Sequence, residues 1–279
     1  MKPIYLILLI LLLPLSVKAI DCGDLKSQGE IRNFTQRSKA SNPLMNENFS
    51  ALIELDACEE ELCRQKNRIQ RVTGKQLLHI VKKGENQRVR FIKGKNSPQC
   101  YLNRGEREFR CGSCEEAVNS DCRSHKNDNS STKIPGTNID RDDFDLLKGQ
   151  NYQSLCQKLP TAPAYFKILS TRIQGDSPYN EIISFYEKKR EIPIIISFLV
   201  QGRLRKVYRF FPKQYSRLDG NWYSTIFRAR TVKGDEKRFV FETLIKVLKG
   251  NAKQFQFYSK PEKDPLIKGV SDHELFKND

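Results

Sequence analysis

Residues Tyr179 to Tyr258 read YNEIISFYEKKREIPIIISFLVQGRLRKVYRFFPKQYSRLDGNWYSTIFRARTVKGDEKRFVFETLIKVLKGNAKQFQFY. Apolar and aromatic runs of strand length alternate with turn chemistry at Gln201-Gly202, Asp219-Gly220 and Lys233-Gly234-Asp235, which predicts a meander of antiparallel strands. Between Leu204 and Phe210 a period of two puts Leu204, Tyr208 and Phe210 on one face, with Lys206 the exception, and Arg203, Arg205 and Arg209 on the other. From Arg238 to Val247 the same rule groups Phe239, Phe241, Ile245 and Val247 opposite Arg238, Val240, Glu242, Leu244 and Lys246. A sheet with one greasy and one basic face needs its apolar side covered, by its own helices or by a ligand.

Upstream, Met1 to Ala19 has Lys2 at its start, an apolar run from Ile4 to Leu13, a Pro14 break and Val17-Lys18-Ala19 as a cleavage site. This reads as a secretory signal peptide, cleaved after Ala19, because the apolar run is shorter than the roughly 20 residues a bilayer span needs. The mature chain is then exported, to the periplasm or the extracellular space. The formal net charge of +16 falls to +14 when Lys2 and Lys18 leave with the signal. Such a charge favours anionic partners, and export makes nucleic acid the least fitting of them. Peripheral contact with an anionic membrane surface and an envelope protein partner both suit it.

Between the signal and the strand meander, residues 20–46 are polar with little periodicity and read as a loosely packed leader. Residues 47–263 form one β domain, with a Cys-rich insertion at 98–135 and a polar tail at 264–279. Ser50 can cap a helix over Ala51–Asn67, with Leu52, Ile53, Leu55 and Leu62 as its apolar side. Gln76–Lys82 and Arg88–Lys93 read as two strands joined at Gly84, and the segment from Cys100 to Cys122 interrupts the strand pattern.

Eight cysteines stand at Cys22, Cys58, Cys63, Cys100, Cys111, Cys114, Cys122 and Cys156, an even count that in an oxidising compartment argues for disulfides. Cys100, Cys111, Cys114 and Cys122 are close enough to bond among themselves and staple a protruding hairpin. Two alternatives stay open. Cys111, Cys114, Cys122 and His125 have zinc-ligand spacings, and Cys111-Gly112-Ser113-Cys114 has the form of a redox CxxC. No other constellation points to catalysis, and no cofactor is implied: His79 lies in a strand pattern, His273 in the tail, and G-x-S-x-G, HExxH and phosphate-loop motifs are missing. Asp140, Asp142, Asp143 and Asp145 read as a solvated turn or helix start. Trp222, Tyr223, Phe239 and Phe241 read as core aromatics, with a binding surface as the alternative.

The run from Gly202 to Tyr258 resembles the closing strands of the outer-membrane lipoprotein-sorting proteins, the LolA-like superfamily. Its turn glycine, basic strand, D-G-x-W step and F-x-F element correspond here to Gly202, Leu204–Phe211, Asp219-Gly220-Asn221-Trp222 and Phe255–Phe257. Gly136–Phe144, GTNIDRDDF, is similar to the family's Gly-Ser-Asp-Phe-Ser-x-Glu-Asp segment, so the resemblance covers about residues 75–260. Ser224 stands where the family usually has proline. The resemblance implies a mainly β fold: an open, curved antiparallel half-barrel of the LolA/RseB kind with helices closing its concave side. It also implies a non-catalytic envelope protein that holds lipid or lipoprotein acyl chains. Leu204, Tyr208, Phe210, Phe239, Phe241 and Ile245 would line the groove, and Arg203, Arg205 and Arg209 would form an anion-attracting rim. Two other classes compete: a disulfide-stapled envelope interaction module without lipid, and a zinc- or thiol-redox protein.

Overall fold

The computed structural model describes residues 19–39, 48–59, 74–83, 86–93, 100–104, 107–111, 123–126, 137–139, 143, 151–175, 177–218, 221–233 and 238–251. Among them the strands in chain order are β1 (Asn48–Glu59), β2 (Gly74–Lys83), β3 (Asn86–Lys93), β4 (Cys100–Arg104), β5 (Arg107–Cys111), β6 (Arg123–Lys126), β7 (Tyr152–Lys158), β8 (Tyr165–Arg172), β9 (Glu181–Glu187), β10 (Ile192–Val200), β11 (Arg203–Phe210), β12 (Tyr215–Leu218), β13 (Asn221–Ser224), β14 (Ile226–Lys233) and β15 (Arg238–Asn251). Thirteen of them make one antiparallel sheet in the order β6-β5-β4-β3-β2-β1-β15-β14-β11-β10-β9-β8-β7, while β12 and β13 form a separate hairpin. The meander expected after Tyr179 is present. Its first tight turn, between β10 and β11, has Gln201 at φ 51° and Gly202 at φ 72°, the left-handed pair that a two-residue hairpin matching the sheet twist requires.

The topology imposes one long-range constraint. β6 and β7 are consecutive in the chain yet form opposite edges of the sheet, so the connection between them must pass across its whole width. The greasy face that it crosses is called the inner face here.

The helix expected over Ala51–Asn67 is not formed: Asn48–Glu59 is a strand, paired along its length with β2 on one side and β15 on the other. Ala51, Ile53, Leu55 and Ala57 alternate inward, and Leu52 is buried on the opposite face as well. A strand buried on both faces loses the apolar–polar alternation that marks strands in a sequence, and the cluster of Leu and Ile then mimics a helical face.

The helix is instead in the presumed loose leader. α1 (Gln28–Lys39) buries Ile31, Phe34, Thr35 and Ser38, a stripe at helical spacing. Ser27 caps it: Ser27 Oγ accepts from Glu30 N at 3.2 Å and Glu30 Oε2 accepts from Ser27 N at 2.8 Å, the reciprocal capping box. Hydrogen bonds from Ser27 and then from the Lys26 N–H to the ionised carboxylate hold the Glu30 pKa below its usual value. Phe34, with no exposed surface, meets the rings of Phe166 and Tyr186 at 5.3 and 4.9 Å. Gln28 fastens the helix to the free edge of β7 by imitating a neighbouring strand. Its Nε2 donates to Ser154 O at 2.5 Å and its Oε1 accepts from Ser154 N at 2.8 Å, which also blocks that edge against further pairing.

A disulfide between Cys22 and Cys156, with Cα atoms 5.4 Å apart across 134 residues of sequence, ties the start of this element to β7. Lys188 supports the same corner through Asp21, at 3.3 Å.

Within 100–126 the described residues continue the strand pattern as β4, β5 and β6. Cys100 is buried and disulfide-bonded, and stands opposite Cys111 in the β4–β5 register. The side chains of Cys58, Cys63, Cys111, Cys114, Cys122 and His125 lie outside the described residues, and the zinc and redox alternatives lie there with them. Residues 1–18, and with them most of the expected signal peptide, are likewise outside.

Replacing Cys22 and Cys156 together by serine should lower stability by about 2–5 kcal/mol, read as a shift in the denaturant midpoint under non-reducing conditions. His79 gives a second expectation. It is buried on the outer face of β2, its imidazole pKa pushed down to about 3 by desolvation and then by the charges of Arg88 and Arg90. The unfolded chain takes up this proton near pH 6.5, so the stabilisation is present above that value and lost as pH falls toward about 3. His79→Leu should flatten thermal unfolding against pH within that window.

Candidate functional site: the inner face of the sheet

Cross-strand register sorts the inner face into rows. One runs Gln76, Leu55, Ile245, Phe227 and Phe210 across β2, β1, β15, β14 and β11, and all five side chains are buried. The next row runs Ala57, Thr243, Ala229, Tyr208, Ile196, Ser184 and Ile168. The third runs Phe241, Thr231, Lys206, Phe198, Ile182 and Ser170. Where the second row crosses β1, β15 and β14 its side chains are small, and this shallow stretch is where the connection between β6 and β7 passes.

Asn138 of that connection donates from Nδ2 to Thr231 Oγ1 at 3.1 Å and to Phe241 O at 3.2 Å, and its backbone N–H reaches Thr243 Oγ1 at 3.4 Å. The acceptor carbonyl stands beside the β-bulge at Thr231/Val232, which breaks the regular ladder between β14 and β15. Ile139 follows Asn138 into the apolar cluster formed by the first two rows.

Further along, Asp143 is only 2% exposed. Its Oδ2 accepts from Lys206 Nζ at 2.5 Å and Tyr208 OH at 2.6 Å, and its Oδ1 from Tyr179 OH at 3.0 Å. The solvated-turn reading of the aspartate cluster is therefore corrected for Asp143: a carboxylate this deep needs a cation and several donors, and it has them. Lys206, the one polar residue on the apolar side of β11, is inward because Asp143 is there. Asp140, Asp142 and Asp145 lie outside the described residues.

The end of the inner face over β7–β10 is closed by α1, and its lower margin by the β12–β13 hairpin. There Tyr215 OH donates to Pro193 O at 2.7 Å, and the Arg190 guanidinium lies 5.7 and 5.4 Å from the ring centres of Tyr215 and Trp222. Glu187 holds Arg190 in place through its guanidinium. The aromatic pair Trp222 and Tyr223 packs against the main core.

Of the groove residues expected from sequence, the structure gathers Tyr208, Phe210 and Ile245 in one buried cluster with Phe241 partly buried against it. Leu204 is 36% exposed beside the Gln201-Gly202 turn and outside that cluster, and the Phe239 side chain lies outside the described residues. Arg209, in register with Arg228, stands on the outer face, while a bulge between β10 and β11 resets the pairing so that Arg203 lies opposite Val200, which packs against the inner cluster.

Across the outer face, Arg209 is paired in register with Arg228, and both guanidinium groups lie 5.8 Å from the Phe211 ring. Glu242 separates Arg228, at 3.4 Å, from Arg230, at 2.5 Å, and relieves the like-charge repulsion. Partial burial lowers the Arg228 pKa, opposed by Glu242.

Sequence reasoning missed Asn138, Tyr179 and Gln76 as inner-face polar groups. The usable signal was an inward lysine in a strand, which demands a buried acid from elsewhere in the chain.

No protein-family model matches the sequence, and no curated protein matches it. Solved structures do match the fold. A LolA-superfamily protein from Nitrosomonas europaea superposes with a TM-score of 0.55 at 11% identity, covering 81% of this chain and 94% of that one. A putative outer membrane lipoprotein-sorting protein domain from Vibrio parahaemolyticus gives 0.55 at 13% identity, covering 90% and 98%. A DUF1329 family protein from Desulfovibrio piger gives 0.56 at 12% identity, covering 87% and 94%. The expected fold class stands: this chain is a mainly β, open antiparallel half-barrel, the fold of the LolA-superfamily and lipoprotein-sorting structures.

Proposed function

We propose that the protein is an exported, non-catalytic carrier, working in the periplasm, whose inner sheet face takes up lipid or lipoprotein acyl chains. One observation carries this reading. The inner face is a broad aliphatic and aromatic surface, and what covers it among the described residues is a set of separate pieces, each held by a few specific anchors. α1 is fastened by a disulfide and one edge-capping glutamine, and the 137–143 connection by Asn138 and Asp143. The crossing segment, on such anchors, can lift while α1 stays, where a second packed sheet could not. The likeness to a structure described as a lipoprotein-sorting domain supports the same reading. Each aliphatic or aromatic side chain transferred from protein cover to acyl chain would keep about 1.5–3 kcal/mol of burial.

The closed state of the face favours a second reading, since Tyr208, Phe210 and Ile245 are already fully covered. On that reading the protein is a disulfide-stapled envelope module that binds another protein and carries no lipid. Native mass spectrometry of mature protein from an oxidising envelope, followed by denaturing non-reducing mass, separates the two. A lipid adduct lost on denaturation supports the carrier. A bare protein that refuses added phospholipid leaves the interaction module, and a zinc adduct with free thiols would point to the metal site instead.

Phe241→Glu should abolish lipid loading in this assay, with circular dichroism confirming the fold; loading that survives would remove the inner face from consideration. Asp143→Ala strands a buried lysine and should cost about 3–5 kcal/mol in denaturant unfolding. The double replacement Asp143→Asn with Lys206→Met should recover most of that loss. It should also speed hydrogen exchange at 137–139, the mark of a cover held mainly by this anchor.

A further inference from the structure

Among the described residues, one inner-face amide has no polar partner at either end. Gln76 on β2 has no exposed surface, and neither its Nε2 nor its Oε1 has a hydrogen-bond partner. Its orientation follows from alternation: Leu78 and Ile80, two and four residues on, belong to the inner core. Register places Gln76 opposite Leu55 and at the end of the row that continues through Ile245, Phe227 and Phe210. The row is five strands wide, about 20 Å at the usual strand spacing, and apart from Gln76 it is wholly apolar. The register shift between β2 and β3 puts its extra residue, Ile92, on β3, so the alternation along β2 is unbroken at Gln76.

A buried primary amide with donor and acceptor both unmet is unfavourable to the fold, and leucine would be the better structural choice in a row already built of Leu, Ile and Phe. Building on the carrier reading above, we propose that Gln76 recognises the linkage at the head of the bound acyl chain, its Nε2 donating to an ester carbonyl while the hydrocarbon runs along the row toward Phe210. The chemistry narrows to an ester because the row contains no cation. A free fatty carboxylate would be buried there without a counter-charge, whereas a neutral carbonyl is the acceptor that an amide can satisfy in an apolar setting. Oε1 is left to accept from a hydroxyl or N–H beside that carbonyl. The cargo is accordingly a glyceride-type ester lipid, bound with its head at the β2 end.

The test compares two probes on the full mature protein: dioctanoyl phosphatidylglycerol and its dioctyl-ether counterpart, which lacks only the carbonyls. Titration calorimetry should show the unmodified protein binding the ester about tenfold more tightly, the equivalent of one buried neutral hydrogen bond. Gln76→Leu should bind both lipids alike, at the ether affinity, with a thermal midpoint equal to or above that of the parent. Gln76→Met serves in the same way should leucine not fold. Equal binding of both probes by the unmodified protein, or an ester preference that survives in Gln76→Leu, overturns the assignment while leaving the carrier reading intact. Binding of neither probe by the unmodified protein overturns the carrier reading itself, and this assignment with it.

Discussion

The connection from β6 to β7 has to cross a hydrophobic surface from one edge of a thirteen-stranded sheet to the other, and much of the inner face is arranged around that necessity. A polypeptide cannot lie on apolar side chains without finding partners for its polar groups. The sheet supplies them at defined points: Thr231, Thr243 and the Phe241 carbonyl for Asn138, and Lys206, Tyr208 and Tyr179 for Asp143. It also supplies room, because Ala57, Ala229 and Thr243 keep the second row low beneath the crossing chain. Larger side chains at these three positions would leave the strands intact and displace the connection.

The Asp143–Lys206 pair illustrates why an ion pair can fix an arrangement without adding much stability. Desolvating both charges is expensive, and the attraction between them roughly offsets that expense. The two tyrosine hydroxyls take up the remaining carboxylate lone pairs, so no charge is stranded. What the network contributes is register: only one placement of the crossing segment puts a carboxylate where Lys206 Nζ already points. An apolar pair of similar volume could bind as strongly but could slide along the groove.

The sequence was most readable where each strand has one buried and one solvated face. From Glu181 to Asn251 the alternation and the glycine turns mark the strands, and the strands follow them, with β12 and β13 turned off into their own hairpin. It was least readable where burial is two-sided or where a buried stripe is chemically mixed. β1 hides Leu52 on the face away from the core and so imitates a helix, whereas α1 buries Thr35 and Ser38 beside Ile31 and Phe34 and so imitates a solvated leader. The capping box Ser27-Gln28-Gly29-Glu30 was the local signal for α1, stronger than its hydrophobic pattern. For the inner face, the apolar residues of β11 and β15 could be found by parity alone. The polar groups could not, because Asn138 and Asp143 acquire their partners only through a connection whose path is decided by the order of strands in the sheet. Arg203, Arg205 and Arg209 show another limit: parity puts all three on one face, but the bulge between β10 and β11 pairs Arg203 with Val200 of the inner face, a shift that no alternation announces.

The two covers of the inner face differ in how they can be released. α1 is bound covalently through Cys22–Cys156, so in an oxidising compartment its start stays on β7 whatever occupies the sheet. Among the described residues the β6–β7 connection is held by the hydrogen bonds of Asn138 and the compensated ion pair of Asp143. Lifting it loses a handful of hydrogen bonds, each worth about 1 kcal/mol net, and rehydrates Asp143, while Lys206 keeps its solvation only where the entering chain leaves it open to water. An acyl chain entering beneath it recovers about 0.8 kcal/mol for each methylene it buries. About eight methylenes therefore balance the displacement, and a long chain exceeds it. If cargo enters, the physical asymmetry makes the crossing segment the part that yields and the disulfide-tied helix the part that stays.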